Sequence, residues 1–155
     1  MIPLQELLDA AGKYFKKLMK NRSERIELEI ESMEAKVIGD VNQLRFLLEN
    51  LIDEALTVRE DGVIRLQARK DNEYIRFLFT DTRREKSVEE LNQLFYPNLA
   101  RMTSGEKGEL RGTEYLVCKQ IIRDHDEFAG RRGCRINAEP AEGGGFTVYF
   151  TIPRR

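Results

Sequence analysis

GDVNQLRFLLENLIDEALTV, residues 39–58, decides how the rest of the chain is read. Asp40 is a short acceptor placed to cap the first free N–H groups of a helix. Behind it Leu44, Leu47, Leu48, Leu51, Ala55 and Val58 recur at helical spacing and define one apolar face. Phe46, Asn50 and Glu54 follow the border of that face four residues apart, so their side chains sit one above another. A helix that buries one side and carries an amide and a carboxylate on its edge is suited to wall a cleft. Asn50 and Glu54 are also at home as solvated polar residues, and the helix by itself favours that plainer reading.

Upstream, residues 3–20 predict an amphipathic helix. Pro3 suits a first turn, and Leu4, Leu7, Leu8, Ala11, Tyr14, Phe15 and Leu18 form a stripe fit for core packing or for docking on a preceding helix. RIELEIE, residues 25–31, alternates apolar and charged side chains like a strand covered on one face. A short strand around Ala35–Ile38 leads into the helix. Downstream, Glu60-Asp61-Gly62 makes a turn, and strands at Gly62–Ala68 and Tyr74–Thr80, joined through Asp71-Asn72, predict an antiparallel hairpin. A short helix over Ser87–Phe95 is halted near Pro97. Residues 98–112 lack periodicity and read as a long loop of the kind that serves as a lid. Thr113–His125 returns to helical spacing. A turn at Gly130–Gly133, a strand near Cys134–Ala138, and a closing strand Phe146–Ile152 behind Gly143-Gly144-Gly145 complete the chain.

No repeat or linker divides this order. The expectation is one structural domain: an N-terminal amphipathic helix and lead-in over residues 1–24 and a body over 25–155. Segregated hairpins and helices predict an α+β two-layer sandwich, helices packed on one face of a mixed, mostly antiparallel sheet. With 155 residues there is enough chain for a substantial core. The 26 basic and 27 acidic side chains nearly cancel, which gives no support for a nucleic-acid or membrane surface. No apolar run approaches the roughly 18 residues of a membrane span, and no signal-peptide pattern opens the chain. Cys118 and Cys134 lack metal-ligand spacing, and a single histidine, His125, excludes a multi-histidine metal site. A soluble, cytoplasmic domain is expected.

Asp81 and its surroundings bring these pieces together as a resemblance. From about Leu28 to Pro153 the chain resembles the ATP-binding domain of sensor histidine kinases, in the superfamily of gyrase, heat-shock chaperones and mismatch-repair proteins. Asp40, Leu44, Leu48, Asn50, Leu51 and Ala55 match the family's helix D-x-x-x-L-x-x-x-L-x-N-L-x-x-N-A, with Glu54 at its later asparagine. Asp81 stands at the aspartate of D-x-G-x-G, with Arg83 and Glu85 on the two glycines. Leu94-Phe95-Tyr96-Pro97 resembles the phenylalanine motif before the lid. Leu110, Gly112 and Glu114 fall on the glycines of G-x-G-x-G, so only Gly112 survives. GFTVYFTIP is similar to the closing strand G-T-T-F-x-F-x-L-P, with Thr147 on its second threonine.

The resemblance implies Mg2+ and ATP or ADP as ligands. Asn50 would be the metal ligand and Asp81 the acceptor of the adenine amino group, with Glu54, Gly112 and Thr147 as further binding residues. The departures pull the other way. Phe46 stands where the family carries a polar or acidic group that prepares the attacking atom, and a phenyl ring moves no proton; Thr57 replaces a common phosphate contact. Lost glycines remove close backbone N–H approach to phosphate. A carboxylate such as Glu114, about 4 Å from a phosphate charge at an effective dielectric near 20, adds roughly 4 kcal/mol of repulsion. Lys107 and Arg111 offset some of this or are merely solvated. Arg83 either stacks on adenine or fills its pocket. His125 matches the histidine common at the end of the lid helix, read as a capping or dipole-compensating residue and not as a phosphoacceptor; no autophosphorylation is expected from this chain alone, and no catalytic residue is assigned. Two functions follow: a degenerate histidine-kinase-like ATP-binding domain of a bacterial signalling protein, with weak or lost nucleotide binding and a mainly interaction or regulatory role; or a working Mg-ATP-binding catalytic domain that phosphorylates a histidine in another domain. On the first, the partners are another domain of a larger signalling protein or a separate protein.

Overall fold

The computed structural model describes residues 1–94, 103–104, 110–111, 114–128 and 135–155, with the backbone alone at 103–104, 110–111, 114–115 and 128. In chain order the elements are β1 (Ile2–Pro3), α1 (Leu4–Met19), β2 (Ile26–Glu31), β3 (Lys36–Val37), α2 (Val41–Ala55), β4 (Gly62–Asp71), β5 (Tyr74–Asp81), α3 (Val88–Gln93), β6 (Thr103–Ser104), β7 (Leu110–Arg111), α4 (Glu114–Phe128), β8 (Ile136–Pro140) and β9 (Phe146–Pro153).

Period-two alternation builds the main sheet, ordered β2-β4-β5-β9-β8. β2 and β4 run parallel, joined by a crossover through α2; the other pairs are antiparallel. Ile64 and Leu66, Ile75, Phe77 and Phe79, and Val148, Phe150 and Ile152 all point to one side and are buried. Phe77 and Phe150 sit opposite each other in the register and stack with centroids 4.7 Å apart. α1, α2 and α4 cover this side, giving the expected α+β sandwich with a mixed sheet. Each large apolar side chain buried here contributes about 1.5–3 kcal/mol. Leu4, Leu7, Leu8, Ala11 and Phe15 of α1 lie in the same core as α2 and the sheet.

Local details sharpen several boundaries. Pro3 belongs to β1 and precedes α1 as its N-cap, where a first-turn position was expected. β3 pairs with β1 outside the main sheet. The β4–β5 turn is Asn72-Glu73, one residue later than expected, with Asn72 at φ 55°, a left-handed value that asparagine tolerates. Ser87 and Glu90 close a reciprocal capping box on α3.

Candidate functional site

Asp40 caps α2 as expected: its carboxylate accepts from the N–H groups of Asn42 (2.9 Å) and Gln43 (3.1 Å). Leu44, Leu47, Leu48, Leu51, Ile52 and Ala55 are buried, and the opposite border carries Phe46, half exposed at 50%, with Asn50 and Glu54 partly buried. The Asn50 amide nitrogen is buried and has no hydrogen-bond partner among the described residues. An orphaned buried donor costs roughly 1–3 kcal/mol, so Asn50 is poorly accounted for by the contacts of the described residues.

The N-terminus of α2 is fixed from α4. The Asp40 N–H donates to His125 Nε2 at 3.0 Å, and His125 Nδ1 lies 2.8 Å from the Ile121 carbonyl. A backbone N–H can only donate, so Nε2 is the unprotonated nitrogen and Nδ1 carries the hydrogen. His125 is thus a buried strut between two helices, which corrects its reading as a helix-end cap; the packing is close enough that a Cβ on Gly39 would lie 2.7 Å from the ring.

Asp81 ends β5 on the core-facing side, opposite Ile64 and Phe146, and is buried. Arg83 takes both of its oxygens: Nε donates to Oδ1 at 2.9 Å and Nη2 to Oδ2 at 2.8 Å, while the Arg83 backbone N–H also reaches Oδ1 at 3.0 Å. The guanidinium then donates to the carbonyls of Ala55 (2.5 Å), Val58 (2.9 Å) and Glu60 (3.1 Å). α2 has no basic residue in its own last turn. Arg83 supplies that cation and satisfies a terminal carbonyl from outside the helix. The Arg83 side chain is 1% exposed and that of Asp81 5%. Arg83 is thus turned in toward Asp81, as the pocket-filling use requires. Ala55 is five residues beyond Asn50, about 7.5 Å along the helix, so the amide and the ion pair share one end of α2.

Thr147 is not brought to Asp81. It pairs with Thr80, and the two hydroxyls lie 2.8 Å apart on the side of the sheet away from the helices, because β9 alternates and Phe146 takes the Asp81 side. The Glu54 carbonyl accepts from the Thr57 hydroxyl and N–H. Gly112, Phe95–Pro97, Lys107 and Cys134 lie outside the described residues, as do the Glu114 and Arg111 side chains. Among the described residues no three His, Cys, Asp or Glu side chains form a metal-binding group. A magnesium held by one amide and phosphate oxygens would need no such cage. Asn50 retains the amide expected at the phosphate end of an ATP ligand, and Arg83 covers the Asp81 carboxylate expected at the adenine end.

The sequence model of the family described as "Histidine kinase-, DNA gyrase B-, and HSP90-like ATPase" matches residues 39–155. The fold is similar to that of the mycobacterial sensor histidine kinase MprB, at TM-score 0.74 and 19% identity, covering 99% of this chain and 96% of that one. It is similar to the same degree, TM-score 0.74 and 19% identity, to the catalytic domain of histidine kinase ThkA in a nucleotide-free form, covering 99% and 94%. A structure of ThkA in complex with the response regulator protein TrrA matches at TM-score 0.65 and 21% identity, covering 98% of this chain and 40% of that one. No curated protein matches the chain in sequence.

Proposed function

We propose, for a chain that belongs to the family of histidine kinase-, DNA gyrase B- and HSP90-like ATPases, that this domain is a degenerate member with weak or lost nucleotide binding. Its work is then mainly recognition of another domain of a bacterial signalling protein or of a partner protein. The observation that carries this reading is the buried bidentate pair of Arg83 with Asp81. An adenine amino group needs open approach to a carboxylate oxygen, and Asp81, with its side chain 5% exposed beneath the Arg83 guanidinium, has none. Exposing Asp81 to a nucleotide means parting a buried ion pair, which costs about 3–5 kcal/mol. Every 1.4 kcal/mol is a factor of ten in affinity. A micromolar site becomes one of about 0.1 millimolar or weaker.

Phe46 supports the same reading for the chemical step, since a half-exposed phenyl ring neither accepts a proton nor orients a nucleophile. The Asn50 amide nitrogen, without a partner among the described residues, is the one observation on the other side: it is a donor of the kind a phosphate oxygen would take. ThkA has been captured with a response regulator, and a signalling partner of that kind, or a neighbouring domain, is the proposed binding partner here. Calorimetric titration with Mg-ATP and Mg-ADP tests the reading. The expected result is no saturable heat in the micromolar range; micromolar binding that disappears in Asp81→Asn would overturn it.

A further inference from the structure

We propose that Arg83 is a plug that acts as this domain's own ligand, closing a recess fit for a planar molecule with an N–H-bearing edge. The inference rests on the reading above that Asp81 marks a ligand recess. The walls around the guanidinium are the Asp81 carboxylate and the carbonyls of Ala55, Val58 and Glu60. Removing the plug leaves one carboxylate and three backbone oxygens, all acceptors. Such a cradle suits an amidinium or an amino-bearing ring and rejects an anion.

Space for the plug is built into the backbone. Gly62 sits at φ +149°, and a Cβ there would fall 2.5 Å from Arg83 Cγ, so only glycine lets the arginine stem pass. Gly145, at φ +82°, lets its own backbone lie against the Asp81 carbonyl. The Arg83 N–H to Asp81 Oδ1 bond turns the chain back sharply within two residues. The side chain can therefore rotate out about its own torsions while β5 and its pairing stay in place. A site that is competent only when the plug is out binds with an apparent affinity reduced by the open fraction, here about a hundredfold or more for a buried bidentate pair.

The test compares the 155-residue wild-type chain with Arg83→Ala and Arg83→Gln by calorimetry and thermal shift, using adenosine, Mg-ADP and ethylguanidinium as probes. The expected result is a gain in adenosine affinity of about a hundredfold or more in a folded variant, with ethylguanidinium competing and raising the melting temperature of Arg83→Ala. A folded variant that gains affinity for neither adenosine nor ethylguanidinium overturns the proposal. So do variants that fail to fold and are not restored by ethylguanidinium; refolding with it supports the proposal. Weak wild-type binding with no gain in the variants refutes the plug and leaves the proposed function standing. Tight wild-type binding that becomes far tighter in the variants refutes weak nucleotide binding and leaves the plug standing.

Discussion

Replacing Asp81 with alanine isolates the cost of the Arg83 arrangement. The substitution removes two acceptors and leaves a guanidinium, 1% exposed, with three carbonyl partners but no counter-charge. Breaking a buried pair from one side costs about 3–5 kcal/mol. Domains of this size lose about 2–4 °C in melting temperature per kcal/mol, so the drop should be about 6–20 °C. The double variant Asp81→Leu/Arg83→Met removes both charges and refills the space. It should recover at least about 2 kcal/mol of the single-variant loss, though the Ala55 and Val58 carbonyls lose a donor, worth roughly 1 kcal/mol each. Urea denaturation of wild type, both single variants and the double variant gives the coupling energy directly. A cost below about 1 kcal/mol for Asp81→Ala would refute the reasoning, because the pair would then behave as a solvated one and Asp81 would be free for a ligand.

Three further outcomes follow from other contacts. His125→Ala deletes the acceptor of the Asp40 N–H and opens a gap between α2 and α4; a loss of about 2–4 kcal/mol by urea denaturation is expected, and a loss under 0.5, roughly the value for a neutral surface change, would restore the plain capping reading. Gly145→Ala puts a methyl group into the Asp81 carbonyl at φ +82°, so the variant should lose at least about 2 kcal/mol or fail to accumulate as folded protein. The Tyr14 hydroxyl donates to Asp53 at 2.6 Å, and burial first, then that bond, hold its phenol well above its ordinary value of 10.0. Its folded-state pKa is raised, so the stabilisation is complete below pH 10 and is lost as the pH rises toward the folded value. Ultraviolet titration should show a late-ionising tyrosine that disappears in Tyr14→Phe.

The sandwich was legible because its periodicities are local. Ile26 to Glu31 alternates, Leu44 to Ala55 repeats at helical spacing, and both patterns survive burial unchanged. The collinear motifs then singled out Asn50 and Asp81 as residues of one candidate site. What local pattern could not supply was partnership across the chain. Arg83 stands two residues from Asp81 in sequence, yet what fixes its role is the trio of carbonyls at Ala55, Val58 and Glu60, which only the fold brings within reach. The strut role of His125 is hidden for the same reason: the N–H that it accepts belongs to a residue 85 positions away. Thr147 was legible in principle, since counting by two along β9 from buried Phe146 puts it on the face away from Asp81.

Arg83 is the proposed ligand of Asp81, and its side-chain Nε–H reports on that bond. Heteronuclear NMR of the wild-type chain should show this signal resolved and protected from solvent exchange, and unmoved when Mg-ADP is added at concentrations that saturate a micromolar site. A signal that exchanges freely with solvent, or that shifts along a saturable curve as Mg-ADP is added, would contradict the account.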